Sequence, residues 1–226
     1  MDMYRFTASR LGRPSRGSAA VAAASLVLAM GALATSAGPA SAAPAPVDPT
    51  TLTPAPPDFF NATCTRNGSG IICDLHFTEV VLDHEPNGLV CDSAAGPVEL
   101  IEVNTRSVVG KRFYDGDGLL LRRHFRDEWQ ATITNPATGR SATYLQTDRI
   151  LHDLAVPGDN TTGSEEVTTR LRVVNEAGST IFVDAGRTVI READGTIEFQ
   201  AGPHRVDDYF VNGDTQAIAP LCAALS

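Results

Sequence analysis

Two charged residues stand where apolar ones belong. Across residues 119–134, Leu119, Leu121, Phe125, Trp129, Ala131 and Ile133 hold odd positions. Arg122, His124, Arg126, Glu128, Gln130, Thr132 and Thr134 hold even ones. Period two is the mark of a strand with one apolar face. Arg123 and Asp127 share the apolar parity, yet at ~3.3 Å per residue they lie roughly 13 Å apart along a strand, too far for an ion pair. Either the strand breaks near Asp127 or reaches a barrel rim there, or both side chains enter an interior and need partners, because an unpaired charge is costly to bury. On the second reading they form the polar floor of a ligand cavity. Trp129 from the same face, and Tyr144 from the β-prone run that follows, complete the set of ligand-binding candidates: Arg123, Asp127, Trp129 and Tyr144.

Other chemistry-bearing patterns are weak. There is no nucleophile elbow, Gly-rich phosphate loop or HExxH run. His76, His84, His124, His152 and His204 fall one to a segment, which reads as ordinary surface or satisfied histidines. Asp115 and Asp117 look like half of a calcium loop, but the twelfth position is Arg126, not Glu, so turn chemistry explains them. Arg122, Arg123, His124 and Arg126 form a basic cluster, read as a solvated strand face beside Glu128. The expectation is no catalytic set, no cofactor and no metal site.

Cys64, Cys73, Cys91 and Cys222 are the four cysteines. Without a Cys-x-x-Cys pair a zinc site is disfavoured, and an even count in an exported chain implies two disulfides. Asn67-Gly68-Ser69-Gly70 is turn chemistry that folds Cys64 back toward Cys73. That leaves Cys91 to pair with Cys222 and pin the C-terminus to the body.

The elements that must position these residues read as β almost throughout. Residues 70–82, 98–109, 119–134, 141–146, 166–174, 180–192 and 197–201 are β-prone, and 147–155 is ambiguous between a strand and a helical turn. A loop of about four or five residues around Asn135, Pro136 and Gly139 joins the strands on either side. Gly186 is expected to mark a bulge. Asp194-Gly195 reads as a two-residue hairpin placing Ile190 opposite Phe199 and Thr188 opposite Ala201. After Asp214 or Thr215 as cap, Ile218, Leu221, Cys222 and Leu225 recur at helical spacing, with Pro220 in the first turn. Turn signals this frequent imply an all-β fold: an antiparallel β-barrel, or alternatively a β-sandwich, with a short C-terminal helix.

The N-terminus reads as an address. Arg5, Arg10, Arg13 and Arg16 precede an apolar run over residues 19–33, and Ala40-Ser41-Ala42 offers a cleavage site, so residues 1–42 are expected to be a signal peptide. Residues 43–57, rich in Pro and Ala, read as a disordered linker, leaving 58–226 as one disulfide-bonded β domain. Net charge is −9, which disfavours nucleic acid and anionic membranes as partners. No stable membrane insertion is expected once the signal is removed. The expected location is extracellular or cell-wall associated.

Several short runs carry a resemblance: Cys-x8-Cys at Cys64 and Cys73, Tyr-Asp-x-Asp-Gly at 114–118, and Thr-Asn-Pro-x-Thr-Gly at 134–139. Pro-Gly-Asp at 157–159, Asp-x-Gly-Arg at 184–187 and Leu-Cys-x-x-Leu at 221–225 belong with them. By these the chain resembles a group of small secreted actinobacterial proteins. The motifs are those of turns and disulfides, so the resemblance implies a secreted β domain and brings no catalytic residue. The functional expectation is a non-catalytic barrel binding a small apolar ligand or a cell-envelope component. One alternative is a small-barrel enzyme in the manner of allene oxide cyclases and dirigent proteins, with Arg123, Asp127 and Tyr144 as its groups. The other is an extracellular interaction or inhibitor domain.

Overall fold

The computed structural model describes residues 43–93 and 96–226; the signal-peptide reading of 1–42 lies outside them. Nine strands follow in chain order: β1 (Ala45–Val47), β2 (Asn61–Asn67), β3 (Gly70–Ser93), β4 (Gly96–Tyr114), β5 (Leu120–Thr134), β6 (Ser141–Asp153), β7 (Ser164–Asn175), β8 (Thr180–Arg191) and β9 (Thr196–Ala201). Each pairs antiparallel with the next, giving one nine-stranded meander. Two helices complete it, α1 (Arg205–Asn212) and α2 (Ala219–Leu225). The all-β class and the C-terminal helix are as expected. The sheet is open, however: among the described residues no ladder joins β9 to β1.

β3 is the longest strand, and β2 covers only its first part, residues 70–76. The rest has β4 on one side and an open edge on the other. The C-terminal segment reaches this edge from β8. His204 sits against Gly186 of β8, where a Cβ would come within 2.2 Å of the imidazole. Gly186 is therefore a site of close approach. The expected bulge there is absent, since β7 and β8 stay in register through Thr169 opposite Gly186. At the far end of α1, the Tyr209 hydroxyl donates to the Gly88 carbonyl (3.3 Å) and accepts from the Val90 N–H (2.9 Å). Cys222 of α2 is bonded to Cys91 of β3. The helices thus join β8 to the open edge of β3.

Two apolar clusters lie on the inner face. In the first, Ile218, Leu221 and Leu225 pack on Leu89, Leu100, Ile133, Leu171, Val173 and Phe182. All three are at most 1% exposed, and burying such side chains stabilises by roughly 1.5–3 kcal/mol each. Asp214 caps the helical entry by accepting from Gln216 N–H, and Pro220 stands in the first turn of α2, both as expected. The Leu225 carbonyl accepts from Asn135 Nδ2 (3.1 Å) and Thr138 Oγ1 (2.7 Å), so the Thr-Asn-Pro-x-Thr-Gly turn caps the helix end as well as joining β5 to β6.

The second cluster contains Leu52, Cys64, Ile71, Cys73, Leu75, Tyr114 and Leu120. Its lid is the Pro-rich stretch, which corrects the linker expectation for 43–57. Val47 pairs with Cys64, Leu52 is 5% exposed, and Thr53 exchanges backbone hydrogen bonds with Gly118 and Leu120. Arg112 Nη1 donates to the Pro54 and Ala55 carbonyls, and the Tyr114 hydroxyl to Pro54. A segment poor in apolar bulk is held because the body supplies donors for carbonyls that proline-rich chain leaves unpaired.

One ambiguity is resolved and two local expectations are corrected. Residues 147–153 belong to β6 and are strand throughout. A bulge at the start of β5 turns Leu120 inward and leaves Leu121 outward, so the odd parity holds only from Arg123 on. The β8–β9 turn spans residues 192–195, with Ile190 opposite Ile197 and Val189 opposite Phe199. The Asp194 side chain accepts from Thr196 N–H, which lengthens the turn beyond two residues and shifts the register.

Candidate functional site

β5 runs unbroken through Asp127, so the break or rim at that point is excluded and both charges enter the inner face. Register places Arg123, Asp127 and Trp129 on one side with Tyr144, which shares the parity of Gln146, Asp148 and His152 on β6. The four candidates thus share a face. They do not converge on one point, because partners from other strands divide them into two polar clusters.

In the first, Arg106 of β4 grips Asp127. Nε donates to both carboxylate oxygens (3.1 and 3.0 Å) and Nη2 to Oδ2 (2.6 Å), the paired geometry that makes such bonds strong. The guanidinium lies 4.8 Å from the centre of the Trp129 ring, a cation–π contact, and 3.9 Å from Glu79. Directly opposite Asp127 on β6 is Asp148, whose Oδ2 accepts from Gln146 Nε2 (2.6 Å) while Oδ1 is buried without a partner. Gln146 also bonds the Tyr144 hydroxyl. Burial, reinforced by the charges of Asp148, Glu102, Asp207 and Asp184, pushes the Tyr144 phenol far above its usual range. It stays neutral at physiological pH and offers no phenolate for acid–base chemistry.

Burial also raises the Asp148 carboxyl, opposed by Gln146 and the nearby Thr169 hydroxyl and assisted by Asp127. A carboxyl raised on folding contributes stability that is complete below its ordinary value of 3.8 and is lost as pH rises through the folded value. Asp148→Asn is therefore expected to stabilise the protein at neutral pH and leave it little changed near pH ~4. Relief of like charges placed directly opposite is worth roughly 0.2–1 kcal/mol. Urea unfolding at the two pH values checks this; a variant less stable at neutrality would show that the carboxylate makes favourable contacts that outweigh its burial.

In the second cluster, three adjacent strands align Arg123, His152 and Glu165 side by side. Arg123 Nη2 donates to Glu165 (3.1 Å) and lies 3.7 Å from Glu192, just beyond β8. Burial raises the Glu165 carboxyl against the opposing pull of Arg123. The His152 ring is fully buried, with Nε2 2.8 Å from the Thr162 carbonyl.

A further cavity lies elsewhere, on the outer face. It is a groove of about 580 Å³ over β3–β6. Lys111, His124, Arg126 and Arg149 line it, with Val109 and Leu151 as its outward apolar side chains, Leu75 and Phe125 of the inner-face cluster beneath it, and Asp74 its one carboxylate. Gly110 lies at its floor: a Cβ there would lie 2.2 Å from the Phe125 ring and 2.6 Å from the His124 carbonyl, so only glycine lets Phe125 pack across β4 from the inner face. Lys111 is paired with Asp74 (2.7 Å) and Arg126 with Glu128 (2.5 Å). Both pairs are exposed and weak.

Sequence reasoning missed Arg106, Glu165 and Glu192, whose roles depend on register, and passed over His152 as ordinary. It read Arg126 and His124 as a solvated strand face, without the neighbours Lys111 and Arg149 that register brings alongside. No protein-family model, curated protein or solved structure matches this chain.

Proposed function

We propose that the protein is an extracellular, non-catalytic binding protein on a barrel-like β scaffold, and that its ligand is a small amphipathic anion: an apolar body carrying an acidic group, the chemistry of a fatty acid or envelope lipid. The observation that carries this reading is the outer groove, in which three cationic side chains and a histidine border an apolar strip on a chain of net charge −9. Local cationic charge against the global sign selects an acidic group, and Val109 and Leu151 give its apolar body a surface. Two disulfides, and the absence of any long apolar helix among the described residues, are compatible with an extracellular location. The inner-face candidates support binding over catalysis: Asp127 is engaged by Arg106, Arg123 by two glutamates, and Tyr144 is held neutral.

The test compares oleate with oleyl alcohol, which keeps the chain and removes the charge. Oleate is expected to bind at least about tenfold more tightly, since charge-assisted hydrogen bonds contribute about 1.5–3 kcal/mol. Arg126→Gln/Arg149→Gln is expected to erase that difference while leaving the unfolding midpoint unchanged, both residues being exposed. Equal affinity for acid and alcohol, or an unaffected double variant, would remove the groove from consideration.

A further inference from the structure

The second inner-face cluster holds a donor set that the binding reading does not use. Ligand atoms of His152, Glu165 and Glu192 lie within 4.8 Å of one another. The imidazole is already oriented. A backbone carbonyl only accepts, so the 2.8 Å contact with Thr162 requires that Nε2 carry the proton. The remaining nitrogen, Nδ1, is the one that can offer a lone pair to a ligand, and this atom is buried without a hydrogen-bond partner. A histidine whose other N–H donates to a backbone carbonyl is the arrangement that metal ligands ordinarily show. A buried imidazole nitrogen with nothing to accept from is otherwise costly to leave unsatisfied.

We propose that His152 Nδ1, Glu165 and Glu192 form a binding site for a divalent cation of the zinc class. Charge favours an added cation: Glu165 and Glu192 have only one guanidinium, that of Arg123, between them. Donor type selects the class: one imidazole nitrogen with two carboxylates suits a borderline ion, whereas calcium and magnesium favour all-oxygen sets. Coordination at about 2.0–2.2 Å needs the donors somewhat closer than they stand. Glu192, the most exposed of the three at 24% of its side chain, is the one free to move. Three protein ligands leave a fourth position for water. The site would cross-link β6, β7 and the turn after β8, the turn whose Glu192 N–H also donates to the Gly163 carbonyl.

The test uses the disulfide-bonded chain, stripped with a chelator and titrated with zinc chloride alone, read by native mass spectrometry and calorimetry. One equivalent of zinc is expected to bind and to raise the unfolding midpoint. Losing the hydrogen-bond partner of a ligand alone weakens metal binding about 10- to 100-fold, so Glu192→Gln, which removes a ligand, is expected to weaken it at least that much. Its partial exposure keeps that variant folded should His152→Ala prove unstable. Cobalt substitution gives an independent signature: ligand-field bands of a nitrogen–oxygen set, with no thiolate charge transfer, because no cysteine is free. No uptake by the wild type, or undiminished one-to-one uptake by Glu192→Gln, would overturn the assignment.

Discussion

Cys91→Ser/Cys222→Ser is expected to lose about 5 kcal/mol of stability, against about 2.5 kcal/mol for Cys64→Ser/Cys73→Ser. The contrast comes from loop length. The two bridges close 131 and 9 residues of sequence, and in the chain-entropy model the restriction placed on the unfolded chain grows with the logarithm of that span. Cys64 and Cys73 already face each other in the β2–β3 hairpin, where a tight turn does most of the same work. The long bridge has no such substitute. It ties α2 to the half of β3 that lacks a second strand neighbour, and through α2 it holds Ile218, Leu221 and Leu225 over the first core. Small domains are stable by about 5–15 kcal/mol, so the loss approaches the whole margin at the low end. Urea unfolding of the two double variants measures both figures. Hydrogen exchange adds a spatial readout: amides of residues 89–91 and 219–225 should lose protection first in the Cys91/Cys222 variant. Equal losses from the two bridges would mean that the helices hold β3 unaided.

Much of this architecture was legible because strands with one buried face write their parity into the chain. Val167, Thr169, Leu171 and Val173 share the inward side of β7, as alternation requires. The Cys64–Cys73 bridge and the Asp214 cap were legible for the same kind of reason, since each rests on neighbours close in sequence, and the even cysteine count then left Cys91 for Cys222 across 131 residues. α1 was not read, although Val206, Tyr209 and Phe210 have helical spacing and Gly213, at φ 68°, is its left-handed C-cap. Two adjacent aspartates and the Gly202-Pro203 break before it masked the pattern. What alternation cannot give is register. That Arg123 meets Glu165, two strands away, follows from turn lengths that put Arg123 beside His152 and His152 beside Glu165. One extra residue reverses such a pairing, as the irregularity between Val189 and Ile190 in the β8–β9 ladder shows. The Pro-rich stretch failed for a different reason: composition measures what a segment can bury by itself, and Arg112 and Tyr114 lie some sixty residues away.

Arg106→Met is expected to cost about 3–5 kcal/mol, and adding Asp127→Leu is expected to recover most of it. The two ends of the pair are unequally buried, with 34% of the arginine side chain exposed and 5% of the aspartate. Removing the arginine strands a carboxylate in the interior directly opposite Asp148, the costly way to break a buried pair. Removing the aspartate alone leaves a guanidinium that keeps Trp129 and Glu79 and reaches water, so Asp127→Leu should cost no more than about 1–2 kcal/mol. The double variant lacks both the stranded charge and the repulsion. Hydrophobic replacement of a whole buried pair is often neutral, which places the double variant within about 1 kcal/mol of Asp127→Leu. A double-mutant cycle by urea unfolding reads the coupling directly. Additive losses would mean that Asp127 is solvated from the inner face, and that the polar belt between the two apolar cores opens to water. In that case the pairing of Arg106 with Asp127 could not be a structural end in itself, and the inner face would have to be tested as a second ligand surface.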